Sequence, residues 1–158
     1  MLKLYLPKYE DSWFRKKMLA DSPTMSYNAK WGGTINFDES NWQDWYDYWI
    51  INNEGIRFYR YLLNEDNEFV GEIAYHYDKE RKLYISNIII YSKYRNSGYG
   101  KNGLILLMEN AKKNNIDVLY DDIAVDNYNG QRLFMKCGFT KEYETSDYIM
   151  LKKILNKW

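Results

Sequence analysis

Residues 91–103 read "YSKYRNSGYGKNG". They follow the apolar run "LYISNIII" and precede Leu104, Leu107, Met108 and Ala111, which fall at the spacing of one helix face. A strand that runs into glycines and then a helix start gathers backbone N–H groups around an anion, and the helix dipole adds to the attraction. Read literally, Gly98-Tyr99-Gly100-Lys101-Asn102-Gly103 is G-x-G-x-x-G, the dinucleotide fingerprint. Asp121 and Asp122 even follow about twenty residues later, where that fingerprint has its ribose-binding acid.

The surrounding sequence opposes a dinucleotide fold. The segments "IRFYRYLL", "EFVGEIAYHY" and "LYISNIIIY" are β-branched and aromatic, and the polar stretches between them, "NEDN" and "DKERK", have hairpin length. They predict an antiparallel meander, whereas a dinucleotide unit opens a parallel series. Asp121 and Asp122 lie inside their predicted strand, not at its C-terminal end. Only 55 residues follow Gly103, too few for the remaining strands and helices. A P-loop is excluded because no Gly-Lys-Ser/Thr occurs.

The rest of the chain reads as one domain spanning residues 1–158. "LKLYLP" is a short strand closed by Pro7, and "EDSWFRKKMLA" a helix with Asp11 or Ser12 as N-cap. Residues 21–37 form an ordered loop. Trp42, Trp45, Tyr46, Trp49 and Ile50 recur at helical spacing from a start near Ser40. After the meander and the glycine loop come a helix ending near "KKNN", the strand "DVLYDDIAV", a short helix stopped by Gly138, and a closing hairpin. The fold class is therefore mixed α/β (α+β), a mostly antiparallel central sheet flanked by helices, in the order β-α-α-β-β-β-α-β-α-β-β.

Composition narrows the function. Lys plus Arg equals Asp plus Glu at 22 each, so no global basic field draws nucleic acid or an anionic membrane. No stretch is long enough to span a bilayer, and the N-terminus lacks a signal peptide's apolar core; the expected location is cytoplasmic. The lone cysteine, Cys137, excludes an intrachain disulfide and a multi-cysteine metal site; no metal is expected. It sits at a helix end before Gly-Phe and reads as packing. Aromatic content is high, with 17 Tyr, 6 Trp and 6 Phe.

Three residues back in frame, Arg95-Asn96-Ser97-Gly98-Tyr99-Gly100 is R-x-x-G-x-G. A second segment, "NYNGQRLFMKCGF" from Asn127 to Phe139, follows at a fixed separation. Here the chain resembles the GNAT superfamily of acetyl-CoA-dependent N-acetyltransferases. Their pyrophosphate loop is (Q/R)-x-x-G-x-(G/A), between the fourth strand and third helix, and their later segment is N-x-x-A-x-x-L-Y-x-K-x-G-F. The element order agrees along the whole chain.

The resemblance implies acetyl-CoA as donor co-substrate and direct transfer to a primary amine of a small molecule or peptide. The rival reading is a non-catalytic acyl-CoA-binding module of the same fold. Backbone groups of Ile88, Ile89 and Ile90 would pair with the pantetheine arm as an added strand. Asn96, Ser97, Gly98, Tyr99, Gly100 and Lys101 would hold the pyrophosphate, with Arg95 and Lys101 adding charge or lying in solvent. Asn127 matches the family's cofactor-binding asparagine; as a residue it also reads as a helix cap. No nucleic acid or membrane is among the expected partners, and a homodimer is the expected assembly if the chain self-associates.

An acceptor amine of pKa about 10.4 is almost wholly charged at neutral pH, so a base is useful. Asp122, five residues before Asn127, is the leading candidate, with Asp121 replacing it if the register differs. Glu72 and His76, on one face of the strand predicted over 68–77, are the others. Where the family often carries a tyrosine proposed to protonate the leaving thiolate, this chain has Phe134, which has no proton to give. Tyr27, Asn28 and Trp31 are the acceptor-contact candidates.

Overall fold

The three β-branched and aromatic runs form the expected meander. In the computed structural model, which describes residues 1–156, they are β2 (Arg57–Leu63), β3 (Phe69–Asp78) and β4 (Leu83–Ile90), paired antiparallel. β1 (Lys3–Tyr5) adds to the β2 edge. β5 (Val118–Ala124), β6 (Thr140–Glu144) and β7 (Tyr148–Ile154) complete a seven-stranded sheet in the order β1-β2-β3-β4-β5-β7-β6. β4 lies in the middle of it, as its two apolar faces predict.

Among the described residues only β4 and β5 pair in parallel, and their register holds for two pairs, Tyr84↔Leu119 and Ile85↔Tyr120. Past Ile85 the two strands carry no further ladder. The sheet is thus continuous at one end and split at the other. Helix α3 (Tyr99–Lys113) makes the crossover between them, and α4 (Tyr128–Lys136) follows β5.

Two cores sit on opposite faces. Val70, Ile73, Leu104, Leu107, Leu119 and Phe134 pack beneath α3 and α4. Phe14, Met18, Trp42, Tyr59 and Tyr61 pack beneath α1 (Ser12–Ala20) and α2 (Trp42–Tyr46). Each such fully buried large side chain contributes about 1.5–3 kcal/mol. Close seating of α3 depends on Gly103: a Cβ there would lie 2.7 Å from Leu62 Cδ1. Gly138, at φ 94°, ends α4 as the sequence predicts.

Three local details differ from the sequence reading or refine it. Asp11 precedes α1, but its carboxylate accepts from Tyr5 Oη (2.7 Å) and Lys8 N (2.9 Å) rather than from the helix. Residues 24–31 of the expected loop wind into 3-10 turns. The tryptophan helix widens after Tyr46 into a π-turn over Asp47–Ile51, closed by Asn52 N donating to Asp47 O at 2.6 Å. Trp42 is buried with its indole N–H on Phe37 O (3.0 Å), while Trp45 and Trp49 both present their rings to Tyr59. Among the described residues no helix is long and apolar enough to cross a membrane, and no cluster of metal-ligating side chains forms.

Candidate active site

The split between β4 and β5 opens into a cavity of about 1050 Å³ that crosses the sheet. Its floor is the point where the two strands part. One lobe lies under the glycine loop and α4, the other under α1, α2 and the 3-10 turns. Residues from both faces line it, from Gly98, Tyr99, Gly100, Lys101 and Asn127 at one end to Tyr27, Trp31, Trp45 and Trp49 at the other.

In the first lobe the glycine loop turns sharply through Asn96 (φ 65°) and Gly98 (φ 80°), both left-handed, and α3 begins at Tyr99. N–H groups of a first helical turn have no partner in the helix and point out along its axis, here into the cavity. Strand β4 offers a second row. Tyr91 N donates to Val70 O (2.9 Å), and an antiparallel ladder alternates, so Ile85, Asn87 and Ile89 turn their backbone groups to β3. Ser86, Ile88 and Ile90 turn theirs into the split. Of the three isoleucines singled out in the sequence, Ile89 is thus committed to the sheet and the other two are open.

Other members of the expected donor site are held by the protein itself. Asn127 caps α4, its Oδ1 accepting from Gly130 N at 3.0 Å, and also lines the cavity. The Arg95 guanidinium donates to Pro23 O and Thr24 O, both at 2.8 Å. Ser92 Oγ donates to Asp21 Oδ2 (2.6 Å), and Ser92 N to Thr24 Oγ1 (2.9 Å). The hydrogen bonds from Ser92 and Thr24 hold the Asp21 carboxyl below its usual range. These bonds lash the glycine loop to the 3-10 segment across the mouth of the cavity. Arg95 serves as a tether there. Lys101 remains exposed at the rim.

The second lobe is aromatic, with its charges paired. Glu72 is buried, its Oε1 accepting from Arg15 Nη1 (2.6 Å) and Tyr59 Oη (2.8 Å). Arg15 lies against the rings of Phe37, Trp45 and Tyr59. Burial opposes its charge, yet Glu72 beside it raises its pKa overall. Burial, with Glu72 next, pushes the Tyr27 hydroxyl up to about 12. Asn28 donates to Gly33 O (2.8 Å), which pins the turn, and Trp31 is largely exposed at the rim.

The candidate bases occupy different settings. Asp122 accepts from Arg81 Nη2 at 3.0 Å. His76 is half-buried with its ring edge-on to Trp49 (5.9 Å between centroids), and among the described residues no hydrogen bond holds its imidazole. Burial lowers its pKa, which keeps the ring neutral. Asp121 points to the opposite face, nearly buried at 8 % exposure, beside Ser86. Phe134 is buried against Phe139. Cys137 packs at the margin of the same core.

Sequence reasoning missed Arg15, Arg81 and Ser86, which sit in the lining with the candidates. Arg15 was hidden in an amphipathic helix, 57 residues from its partner. The only available signal for Ser86 was a small polar residue in a run of isoleucines.

Comparison with known proteins agrees with this architecture. The model of the Acetyltransferase (GNAT) family matches residues 6–139. No curated protein matches the chain in sequence. Among solved structures, a spermidine N-acetyltransferase from Vibrio cholerae in complex with CoA and spermine superposes with a TM-score of 0.81 at 16% identity, over 98% of this chain and 95% of that one. A protein from Salmonella typhimurium solved with its cofactor acetyl-CoA gives 0.77 at 16% identity, over 99% and 95%. A GNAT-family acetyltransferase from Bacillus anthracis gives 0.75 at 17%, over 98% and 95%. At such identities these likenesses speak for the fold. The family rests on the sequence model, which takes in most of the chain and both motifs. The chain belongs to the acetyltransferase (GNAT) family and is an acyltransferase.

Proposed function

We propose that the protein transfers an acetyl group from acetyl-CoA to a primary amine by direct attack. The observation that carries this reading is the split in the sheet below the glycine loop. An extended pantetheine arm fits the open edge of β4, where Ser86, Ile88 and Ile90 present their backbone groups. The pyrophosphate fits the N–H groups at the start of α3, with Lys101 at its edge. The thioester then reaches the floor of the cavity, where the aromatic lobe admits the amine from the other face.

His76 is the base in this reading. It is neutral and free of hydrogen-bonding partners among the described residues, so it can take a proton from the acceptor nitrogen. Glu72 and Asp122 are each engaged by a guanidinium, that of Arg15 and that of Arg81. The acceptor contacts assigned are Tyr27 and Trp31, with Asn28 holding their turn in place. Aromatic walls suit an amine with an apolar or cationic body. Fold alone does not name the acceptor.

The test is thiol release from acetyl-CoA across a panel of amines. Turnover by the wild type, reduced about 10²-fold by His76→Gln with acetyl-CoA affinity kept, is the expected result. The second reading, a non-catalytic acyl-CoA-binding module, draws on Phe134 in place of a proton-donating tyrosine. Tight coenzyme A binding without release in any amine would establish it.

A further inference from the structure

We propose that Asp121 gives the departing thiolate its proton. The inference rests on the acetyl-transfer reading and gives Asp121, named above as a stand-in base, the opposite role of acid.

Ser86 Oγ lies 2.8 Å from Tyr120 O and 2.9 Å from Asp121 Oδ2. A serine hydroxyl owns one proton. Shared between the Tyr120 carbonyl and the Asp121 carboxyl, that proton leaves Asp121 with at most part of one donor. A buried carboxyl so poorly served is favoured as the neutral acid.

Its surroundings favour the same form. The side chain is nearly buried, and among the described residues no Lys or Arg pairs with it. The groups that face it are Ser86 on β4 and, next along β5, the like charge of Asp122. Tyr99, Lys101, Arg132 and Lys136 line the same cavity from α3 and α4, and among the described residues no hydrogen bond or ion pair joins them to Asp121. Burial raises its pKa well above the carboxylate range, Asp122 adds to the rise, and Ser86 opposes it.

Position gives this acid its use. Ile85↔Tyr120 is the last pair joining β4 to β5, so Ser86 and Asp121 are the first residues beyond it. They form the floor of the split. Side chains alternate along a strand, so Asp121 shares a face with Leu119 and Ile123, which pack in one cluster with Phe134. The acid thus stands on the face where the family pattern would put a tyrosine and this chain has Phe134. His76 stands on the other.

The step balances. The amine nitrogen bonds to the thioester carbon and gives its proton to His76. As the tetrahedral adduct collapses, the C–S bond breaks and its electron pair goes to sulfur. Asp121 passes its proton to that sulfur and forms coenzyme A as the thiol. Solvent then takes the proton from His76 and restores the one on Asp121.

The test has two readouts. Carbon-13 spectra of protein labelled at the aspartate carboxyls, assigned by the signal missing in Asp121→Asn, should show Asp121 still protonated at about pH 7. In turnover, Asp121→Asn keeps an acceptor for Ser86 but has no acidic proton to transfer. Its kcat should fall about tenfold or more while KM for acetyl-CoA holds, and the alkaline limb that the wild type owes to its acid should vanish. If Asp121→Asn does not fold, Asp121→Leu, close in size and apolar, takes its place in the same assay. An ionised Asp121 at neutral pH overturns the proposal, as does a variant with wild-type kcat and alkaline limb. A wild type that turns over no amine overturns the acetyl-transfer reading itself, and this proposal with it.

Discussion

Arg81 Nη2 donates to Asp122 Oδ2 at 3.0 Å, and Arg81 Nε donates to Asp78 Oδ2 at 2.8 Å. One guanidinium thus joins the β3–β4 turn to β5 and answers the charge that the sequence had marked as the leading base. Asp122→Asn should therefore lower kcat by less than about tenfold, against the 10² or more expected for loss of a general base. Asp122 also raises the His76 pKa, in opposition to burial. Its removal should move the acid limb of the rate profile to lower pH. A hundredfold loss with that limb in place would make Asp122 the base instead.

His76 also sets a pH dependence of stability. Burial holds its folded pKa below the ordinary value of 6.5, so the unfolded chain binds the proton more readily. Stability from this residue is fully present above the unfolded pKa and is lost as pH falls through it toward the folded value. Wild-type melting temperature should therefore drop between about pH 7 and 5 more steeply than that of His76→Phe, which has nothing to protonate. Parallel melting curves across that range would show that the imidazole stays solvated.

Gly98 holds φ 80° at the start of α3, a conformation that a β-branched residue adopts only with strain. Gly98→Val should re-aim the N–H groups of the first helical turn and fill the approach to them. Calorimetry is expected to give acetyl-CoA affinity weaker by about tenfold or more, equivalent to roughly 1.4 kcal/mol. Unchanged affinity in a folded variant would remove the loop from the donor site.

The meander and the glycine loop were legible because their signals are local: a period of two, hairpin-length breaks, and glycines before a helix start. Side-chain partnerships were not. Arg95 reads as added charge beside the loop or as a solvated side chain, and nothing local shows that Pro23 and Thr24, over seventy residues earlier, accept from its guanidinium. Asp121 and Asp122 look alike as neighbours in a strand. Only the tertiary arrangement puts one beside Ser86 in the interior and the other beside Arg81 at the surface. The π-turn escapes the pattern as well, since Trp42, Trp45 and Trp49 fit an unbroken helix in sequence while the backbone widens after Tyr46.

Glu72 anchors the aromatic lobe through Arg15 and Tyr59. Glu72→Ala would leave a mostly buried guanidinium without its counter-charge, at a cost of about 3–5 kcal/mol. Replacing both partners, Arg15→Met with Glu72→Met, removes that unpaired charge and should recover most of the loss. The check is a double-mutant comparison of unfolding free energies. A double variant no more stable than Glu72→Ala would mean that Tyr59, not Arg15, is the partner that matters.

Asp121 predicts a stability trend of the opposite sign to His76. Its folded pKa is raised by burial, with the charge of Asp122 second, so the native state holds the proton more tightly than the unfolded chain. The associated stability is fully present below the unfolded carboxyl pKa of about 3.9 and is lost as pH rises through the folded value. Asp121→Asn carries no such titration. Relative to wild type, the variant should gain stability steadily from about pH 4 upward and level off only once the native carboxyl has ionised. Each unit of elevation in the folded pKa corresponds to about 1.4 kcal/mol of that gain, so denaturant unfolding at several pH values measures the elevation directly. The pH at which the difference levels off should match the carboxyl carbon titration. A constant difference between the two proteins across the range would mean that Asp121 ionises normally in the fold, and its role as the acid would fail with it.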